Sequence, residues 1–467
     1  MKKILLLLLL PVAAKAQQDY TSTLDRFMEA QVAVKKFNGN VLVARSGKVL
    51  YQKAFGYRSY DAKTLLDNNS VFELASVSKQ FTAMGILILK EKGLLKLSDS
   101  LRYYFPELPY YNITLQQMLE HTSGLPAYEE EMEKKWDHHR IAFNKDMIGF
   151  LAAEKPAVHF KPGEKWEYSN TAYALLASII EKVSKQNFKD FMATNIFQPL
   201  GMKNSRVYNT RRSLKEVIPD YAYGFVYSDS LKRYVLPDSL PDYDYVIYLD
   251  GIQGDGIINS TTGDLLKWDR AIKNHTLIPE ATQKEMLSRQ SITDTAQEKY
   301  YGYGVMLGRN EVGDYALHGG SWPGYYTMLC RYIKDDLTVI VLSNNESNVG
   351  MVTGALTYIV TGRPFVMPYV HKAVAIDAAL PGKYVGSYSI DNMPKPLKIE
   401  FTEKEGKLLY RFENSASAKE LKPESKNKFF VDSPADMQFE FETDASGNIT
   451  RSWFIVHSMK KEMKRSK

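Results

Sequence analysis

The sequence of 467 residues contains a single cysteine, Cys330, so an intramolecular disulfide is excluded. No apolar run approaches the ~18 residues that a membrane-spanning helix needs, so we expect no transmembrane anchor. Neither sign of charge dominates, because 60 basic residues stand against 54 acidic ones, and a nucleic-acid partner is not expected. A hydrophobic content of 44% instead predicts a folded, globular protein.

The most apolar stretch lies at the N-terminus. Two lysines precede an apolar run from Ile4 to Ala14, and Ala14 and Ala16 are small residues of the kind that signal peptidase requires. We predict a signal peptide over residues 1–16 and therefore a secreted or periplasmic protein. Removal of its three lysines lowers the formal charge from +6 to +3.

The C-terminus is locally basic. Its last nine residues carry five basic side chains and one acidic side chain. We predict a frayed, solvated end. The alternative is contact with an anionic cell-wall or membrane surface.

Hydrophobic periodicity divides the mature chain into two folded regions. Residues 17–363 include a stretch from Val77 to Lys92 that is apolar almost all round, which predicts a buried helix ending near Gly93. Prolines then punctuate residues 364–383, a predicted linker. In residues 384–467 the apolar positions alternate with period two, and we expect a small antiparallel β-sheet or barrel there.

The first chemically suggestive pair is Ser76 and Lys79, at the start of this buried helix. A spacing of three places both side chains on one helix face, where a desolvated amine can take the proton of a hydroxyl nucleophile. The plain structural alternative is a helix-capping serine beside a lysine that extends to solvent. The same Ser-x-x-Lys spacing recurs at Ser425 and Ser458, but neither opens an apolar helix, so we interpret both as surface segments.

Two further segments carry candidate groups. Tyr168 and Asn170 precede a helical run, and they offer a phenol for proton transfer and an amide for orienting substrate. A similar Tyr-x-Asn at residues 110–112 follows a proline and is interpreted as a turn. Downstream, His318, Gly319, Gly320 and Ser321 lead into two strand-like runs, and paired glycines allow close approach of a substrate backbone. Trp322 follows directly and is a candidate border of the cleft.

In this order, Ser76-x-x-Lys79, Tyr168-x-Asn170 and His318-Gly319-Gly320 resemble the motifs of the serine β-lactamase and penicillin-binding protein superfamily. The chain is most similar to the class C β-lactamase-related branch, which includes D-aminopeptidases, D-Ala-D-Ala carboxypeptidases and carboxyl esterases. The segments 121–125 and 254–257 resemble further segments of that branch. The resemblance covers residues 24–360. It implies a mixed α/β fold in which an antiparallel sheet is flanked by helices, with a helical subdomain and the active site between them.

The resemblance also implies roles for the motif residues. Ser76 would be the acylated nucleophile, Lys79 its partner, and Tyr168 the proton relay to the leaving group. Asn170 would position the substrate amide, and the backbone N–H groups of Ser76 and Ser321 would form the oxyanion hole. Either Lys79 or Tyr168 can be the general base. His138 and His139 have no second metal-spaced pair, so neither a metal nor another cofactor is expected.

The third motif departs from the Lys-Thr-Gly that penicillin-recognising members usually carry. A histidine at position 318 is mostly neutral at pH 7 and is a weaker anchor for a substrate carboxylate. We therefore expect hydrolysis of small amides or esters, such as D-amino-acid or cell-wall peptides. The alternatives are a β-lactamase or D,D-carboxypeptidase, and a penicillin-binding or sensor protein without turnover. An α/β-hydrolase is disfavoured because Gly-x-Ser-x-Gly is absent from the sequence.

Overall fold

The structure is a computed structural model that describes residues 20–208, 218–391, 395–433 and 435–466. The predicted signal peptide lies outside these residues. The described chain forms two compact units. One comprises residues 37–308 and 313–349, and the other comprises the described residues of 1–36, 309–312 and 350–467. The predicted division into a large domain, a linker and a C-terminal domain stays a prediction.

Two helices carry residues of the first two motifs, since one begins at Lys79 and another at Asn170. In the described residues, no helix is both long enough and apolar enough to cross a membrane. The α-helices are α1 (20–35), α2 (Lys79–Glu91), α3 (Leu101–Tyr104), α4 (Leu115–Leu119), α5 (Tyr128–Lys135), α6 (Asn144–Glu154), α7 (Asn170–Ser184), α8 (Phe188–Met192), α9 (Tyr245–Tyr248), α10 (Thr262–Lys273), α11 (Glu280–Met286) and α12 (Val349–Val360).

The strands form one large sheet, several short ribbons and a C-terminal sheet. The strands before α12 are β1 (Gly39–Arg45), β2 (Lys48–Phe55), β3 (Tyr57–Ser59), β4 (Thr64–Leu65), β5 (Phe72–Glu73), β6 (Arg206–Val207), β7 (Val226–Ser228), β8 (Arg233–Val235), β9 (Ile258–Ser260), β10 (Ser291–Asp294), β11 (Lys299–Tyr301), β12 (Met306–Arg309), β13 (Asp314–Trp322), β14 (Tyr325–Tyr332) and β15 (Leu337–Ser343). Those after α12 are β16 (Gly386–Ile390), β17 (Leu397–Lys404), β18 (Lys407–Phe412), β19 (Lys419–Glu420), β20 (Lys422–Ser425), β21 (Lys428–Val431), β22 (Met437–Thr443), β23 (Ile449–Val456) and β24 (Met459–Arg465).

The large sheet has the order β10-β11-β12-β13-β14-β15-β1-β2. Strands β13, β14, β15, β1 and β2 pair antiparallel in turn, with Gly320 opposite Thr327 and Cys330 opposite Val339. Cys330 is buried. A separate ribbon pairs β5 with β9, so that Phe72 lies opposite Ser260. This pairing brings the segment before Ser76 beside the segment that follows residue 254.

The predicted buried helix is confirmed as α2. Residues 79–89 are all buried, and Gly93 adopts a left-handed φ of +70° just after the helix ends. Gly85 allows α2 to pack tightly, because a Cβ at this position would lie 2.7 Å from Cδ1 of Ile180 in α7. Large side chains such as Trp268, whose ring lies 4.2 Å from that of Phe81, complete the core around α2. The mixed α/β fold inferred from the resemblance is confirmed.

The C-terminal strands form one antiparallel sheet in the order β19-β18-β17-β16-β24-β23-β22-β21-β20. Its two edge strands are separated in sequence by Leu421 alone, so the sheet curls into a nearly closed barrel. The inward-facing residues are largely aromatic. The rings of Phe401 and Phe439, for example, meet edge to face with centroids 5.0 Å apart. The period-two pattern therefore predicted this β region correctly.

The prediction of a frayed C-terminus is wrong for the described residues. Residues 459–465 form β24, which pairs with both β23 and β16. Its lysines face acidic partners: Lys460 lies 3.0 Å from Glu440, and Lys464 lies 3.2 Å from Asp391. The sequence pattern showed the positive charge of this segment but not the carboxylates that the neighbouring strands place opposite it.

Candidate active site

Ser76 lies in a 3₁₀ turn, Ala75–Ser78, that leads directly into α2. Ala75 has a φ of +47°, a left-handed conformation that residues with a Cβ seldom adopt. A hydrogen bond connects the residue before this turn to strand β14 of the large sheet: the hydroxyl of Thr327 donates to the carbonyl oxygen of Leu74 at 2.7 Å. These constraints place the Ser76 side chain at the surface of a cavity, partly exposed.

A glycine-rich segment, residues 254–258, runs beside this turn. The hydroxyl of Thr82 donates to the carbonyl oxygen of Gly254 at 2.6 Å, and the backbone N–H of Ile258 donates to the hydroxyl of Ser78 at 3.1 Å. Both partners in the helical segment are buried. The segment is therefore held along the start of α2, next to Ser76.

The ammonium group of Lys79 has three oxygen partners. Its Nζ lies 3.2 Å from Oγ of Ser76, 2.7 Å from Oδ1 of Asn170 and 2.7 Å from the carbonyl oxygen of Asp255. Lys79 is fully buried, and a buried charge is tolerated only when it is hydrogen-bonded. The three N–H bonds of an ammonium group match these three acceptors.

Tyr168 and Asn170 flank the start of α7. Ser169 caps the N-terminus of this helix with its side chain, and Asn170 is its first residue. The ring of Tyr168 lies beside the buried ammonium, with its centroid 4.8 Å from Nζ of Lys79. The structure thus brings Ser76 and Lys79 together with Tyr168 and Asn170, although Lys79 and Asn170 are 91 residues apart in sequence.

Two carboxylates adjoin this cluster. The amide nitrogen of Asn170 donates to Oε1 of Glu129, which fixes the orientation of the amide with its oxygen toward Lys79. The hydroxyl of Tyr128 donates to Oδ2 of Asp255 at 2.8 Å. Burial, reinforced by the nearby Asp255 carboxylate, raises the pKa of Glu129 to about 7. This carboxyl group therefore changes its charge near neutral pH.

His318 lies in a buried layer behind the cavity. Its side chain is 1% exposed; Nδ1 donates to the carbonyl oxygen of Gly319 at 2.7 Å, and the hydroxyl of Tyr301 donates to Nε2 at 2.9 Å. Burial, together with the Lys79 charge, lowers the pKa of His318 to about 3. Both ring nitrogens of His318 are engaged in these contacts, and its role in substrate binding stays a prediction.

The remaining residues of the third motif have different surroundings. Gly320 packs against the carbonyl oxygen of Leu74 and the Cβ of Ala75, whereas a Cβ on Gly319 would make only ordinary van der Waals contacts. Ser321 is exposed and lines the cavity. The three residues thus alternate along β13 between the packed side and the open side of the strand.

The cavity is small, with a volume of about 60 Å³. Ser76, Asn170 and Ser321 line it together with Glu129, Asp255 and Trp322. Trp322 is thereby placed at the border, as the sequence allowed. The arrangement offers a hydroxyl with an adjacent amine, an amide, two carboxylates and an aromatic wall, which is a set of groups suited to attack on a small carbonyl compound.

The two other Ser-x-x-Lys segments do not form comparable pairs. Lys428 donates to the hydroxyl of Tyr369 at 2.6 Å, and Lys461 lies 2.8 Å from a carboxylate oxygen of Glu311. Each lysine is thus engaged by a partner outside its own motif. Neither segment forms a serine–lysine pair, but their interpretation as surface segments is wrong at Ser458, which is buried.

Sequence reasoning missed Glu129, and it interpreted His121 as a structural residue rather than a catalytic one. Glu129 begins a run of three glutamates in the first turn of α5, a pattern typical of a solvated helix start. No local signal separates it from Glu130, which is exposed. His121 belongs to a segment that carried part of the resemblance, but only the fold shows that its ring lies 4.4 Å from that of Tyr168. Among the described residues, no cluster of side chains is suited to hold a metal ion.

Comparison with known proteins gives a consistent result. A family model described as Beta-lactamase matches residues 24–360. Penicillin-binding protein 4* of Bacillus subtilis (strain 168) is 40% identical over 438 residues, which cover 92% of this chain and 96% of the relative. Putative penicillin-binding protein PbpX of the same strain is 29% identical over 340 residues, covering 72% of this chain and 78% of that protein.

Solved structures share the fold. An octameric penicillin-binding protein homologue from Pyrococcus abyssi superposes with a TM-score of 0.64 at 24% identity, covering 95% of this chain and 99% of that one. A D-amino acid amidase from Ochrobactrum anthropi SV3, complexed with L-phenylalanine amide, gives a TM-score of 0.60 at 22% identity, covering 75% of this chain and 98% of that one. At these identities the likeness concerns the fold alone.

Proposed function

Since this chain belongs to the β-lactamase family and is a serine hydrolase at that level, we propose that Ser76 is its nucleophile and forms an acyl-enzyme with small amides or esters. The observation that carries this proposal is the 3.2 Å contact between Nζ of Lys79 and Oγ of Ser76 at the wall of a cavity. A positioned amine beside a hydroxyl is the arrangement that activates a serine.

In the proposed reaction, Oγ of Ser76 attacks the carbonyl carbon of the substrate. The hydroxyl proton passes to Lys79 in its neutral amine form, or to Tyr168 in its phenolate form, and then to the departing amine or alkoxide. The backbone N–H groups of Ser76 and Ser321 stabilise the oxyanion, and Asn170 orients the substrate amide. Water then hydrolyses the acyl-serine ester, which releases the acid and restores the hydroxyl.

The acidic residues that line the cavity favour a substrate that is not bound through a carboxylate group of its own. Glu129 and Asp255 both line the cavity, and the third motif supplies a buried, neutral His318 in place of a lysine. We therefore favour esters, amides and peptides of amino acids, including D-amino acids and cell-wall peptides, over β-lactams. The name of the amidase from Ochrobactrum anthropi makes D-amino acid amides the first probes to use.

A second candidate activity is acylation by penicillin. It is favoured by the relative that is 40% identical and named as a penicillin-binding protein. Acylation and turnover are separate properties. A chain that forms a stable penicilloyl ester without releasing it would match the alternative of a penicillin-binding or sensor protein, whereas rapid release would make it a β-lactamase.

The test is covalent labelling followed by turnover. Wild type and Ser76→Ala are treated with a fluorescent fluorophosphonate and a fluorescent penicillin, and the labelled peptide is identified by mass spectrometry. Turnover is then measured with p-nitrophenyl acetate, D-phenylalanine amide and a chromogenic cephalosporin. We expect label on Ser76, faster hydrolysis of the ester and the amide than of the cephalosporin, and none of these reactions in Ser76→Ala.

The chain supplies a matched control for this experiment. Ser425→Ala removes a serine with the same spacing to a lysine, Lys428, but outside the cavity. It is expected to react as wild type does. Equal labelling of wild type and Ser76→Ala would refute the assignment of the nucleophile.

Export is proposed from the leader-like residues 1–16. We expect the mature protein in the periplasm or culture medium to begin at Gln17, which mass spectrometry of its N-terminal peptide would reveal. Recovery of the intact N-terminus from the cytoplasm alone would contradict this proposal. Binding to isolated cell-wall sacculi would test the possible wall contact.

A further inference from the structure

The segment that carries Tyr168 is hydrogen-bonded on both sides to one buried residue, His121. The backbone N–H of Glu167 donates to the carbonyl oxygen of His121 at 2.9 Å, and the backbone N–H of Ser169 donates to its Nδ1 at 3.0 Å. His121 is 0% exposed. A single residue therefore holds the backbone on both sides of Tyr168.

The ring of His121 also touches the rings that connect two of the motifs. Its centroid lies 4.4 Å from that of Tyr168 and 4.5 Å from that of Tyr301. The hydroxyl of Tyr301 in turn donates to Nε2 of His318. A row of side chains therefore runs from the half-buried Tyr168 through His121 and Tyr301 to His318, the last three being buried.

From these contacts we propose that His121 is a positioning residue, which fixes Tyr168 and Asn170 relative to Lys79 without touching the substrate. This inference rests on the proposed function, because its kinetic readout is the acylation of Ser76. It goes further in assigning a task to a residue outside the three motifs that carry the chemistry.

The protonation state of His121 fits this task. Nδ1 must be unprotonated to accept the N–H of Ser169, so the proton of the neutral ring lies on Nε2. Burial, with the nearby charge of Lys79, lowers the pKa of His121 well below its ordinary value. The ring therefore supplies an acceptor and a packing surface without adding a second positive charge beside Lys79.

The buried Nε2 atom supports a positioning role over a merely stabilising one. It has no hydrogen-bond partner among the described residues. A buried, unpaired N–H group destabilises the folded protein, because it loses its hydrogen bonds to water without replacement. An apolar side chain would therefore pack at position 121 with less loss of stability than a histidine. The polar group of His121 that does find a partner is Nδ1, which accepts the Ser169 N–H.

Two substitutions separate the acceptor from the ring. His121 has a φ of +62°, a conformation that asparagine tolerates well. His121→Asn keeps an acceptor, Oδ1, near the place of Nδ1 and removes the ring. His121→Phe keeps a ring of similar size and removes the acceptor. A packing role predicts that the phenylalanine variant is the milder change, whereas a positioning role through the hydrogen bond predicts the reverse.

The kinetic experiment measures the rate constant for acylation of Ser76 by a fluorescent fluorophosphonate, together with kcat and KM for p-nitrophenyl acetate. We expect His121→Phe to lower the acylation rate by about 100-fold, since a displacement of about 1 Å costs that much. His121→Asn is expected to recover most of this loss, with the change confined to kcat. Equal losses in both variants, or the greater loss in His121→Asn, would overturn the proposal.

A structural experiment decides the question without any substrate. Crystal structures of the wild type and of His121→Phe are compared over residues 167–170. We expect Tyr168 and Asn170 to be displaced from Lys79 in the variant, and unchanged positions would overturn the proposal. If wild type is not labelled at Ser76 at all, the proposed function fails, and this structural comparison still decides the role of His121.

Discussion

Gly320 lies so close to Leu74 that a Cβ on the glycine would come within 3.0 Å of the Leu74 carbonyl oxygen. The same carbonyl accepts the hydroxyl hydrogen bond of Thr327, the residue opposite Gly320 in β14. The absence of a side chain at position 320 thus allows the sheet to hold the turn that presents Ser76.

This relationship predicts opposite outcomes for two neighbouring glycines. Gly320→Ala should displace the turn, lower the acylation rate of Ser76 by about 100-fold and destabilise the fold by about 1–3 kcal/mol. Gly319→Ala is the matched control, because its Cβ would lie 3.4 Å from Met328, an ordinary contact. Labelling kinetics and urea unfolding of both variants check the prediction. A Gly320→Ala protein that reacts at the wild-type rate would contradict it.

Glu129 is expected to make stability depend on pH near neutrality. Its pKa is about 7 in the folded protein, against an ordinary value of 4.5, because the site is buried and faces Asp255, with Lys79 and the amide of Asn170 as partly compensating neighbours. Between these two values the folded chain keeps a proton that the unfolded chain has lost, so the free energy of unfolding falls as pH rises from 4.5 through 7.

Glu129→Gln should remove this dependence. Relative to wild type, the variant should gain stability above pH 7, by at most ~3 kcal/mol, because one pKa unit corresponds to ~1.4 kcal/mol. Urea unfolding of both proteins at several pH values between about 4 and about 8.5 measures the difference in their free energies of unfolding. Glu130→Gln, in the same helix turn but exposed, is the control and should follow wild type. A Glu129→Gln curve parallel to wild type at every pH would refute the prediction.

His318 should make the free energy of unfolding depend on pH in the opposite direction, at acidic pH. Its pKa is about 3 in the folded protein against an ordinary 6.5, because it is buried and faces the Lys79 charge, with Tyr301 and Tyr168 as neighbouring rings. Between these values only the unfolded chain binds the proton. The stability contributed by neutral His318 is therefore complete above pH 6.5 and is lost as pH falls toward 3.

His318→Gln should flatten this acid limb, since glutamine can accept the Tyr301 hydrogen bond without titrating. The slope contributed by one such group is ~1.4 kcal/mol per pH unit. Unfolding free energies of wild type and variant at several acidic pH values give the comparison. His139→Gln, at an exposed position, is expected to leave the slope unchanged. The prediction fails if both variants behave alike.

A buried network of charged residues beside β14 is expected to contribute strongly to the stability of the fold. Asp269 is 1% exposed, and its carboxylate receives hydrogen bonds from Arg270, Arg331 and Thr338. Asp269→Ala leaves the buried guanidinium of Arg331 without its carboxylate partner, whereas Arg270 keeps Asp336, and the change should cost about 3–5 kcal/mol. Glu280→Gln breaks an exposed pair with Lys284 and should leave the stability nearly unchanged. Thermal unfolding of both variants checks the contrast, which equal losses would contradict.

Much of the fold followed from local patterns. The all-round apolar stretch predicted α2, and the period-two alternation predicted the C-terminal strands, because each pattern reflects the geometry of one element. The basic C-terminal residues were misjudged, since the acidic partners of β24 lie on other strands, such as Glu440 on β22. The triple-glutamate start of α5 likewise gave no sign that Glu129 is enclosed while Glu130 is exposed.

The sequence by itself determined the pairing of Ser76 with Lys79, because a spacing of three places two side chains on one face of a helical turn. Only the tertiary structure decided the rest of the site. The amide that Lys79 contacts is 91 residues away and the carbonyl oxygen is 176 residues away, so their approach depends on how the helices and the sheet pack. The same packing excludes water from His318 and Glu129, and the charge of a titratable group depends on that exclusion more than on its neighbours in sequence.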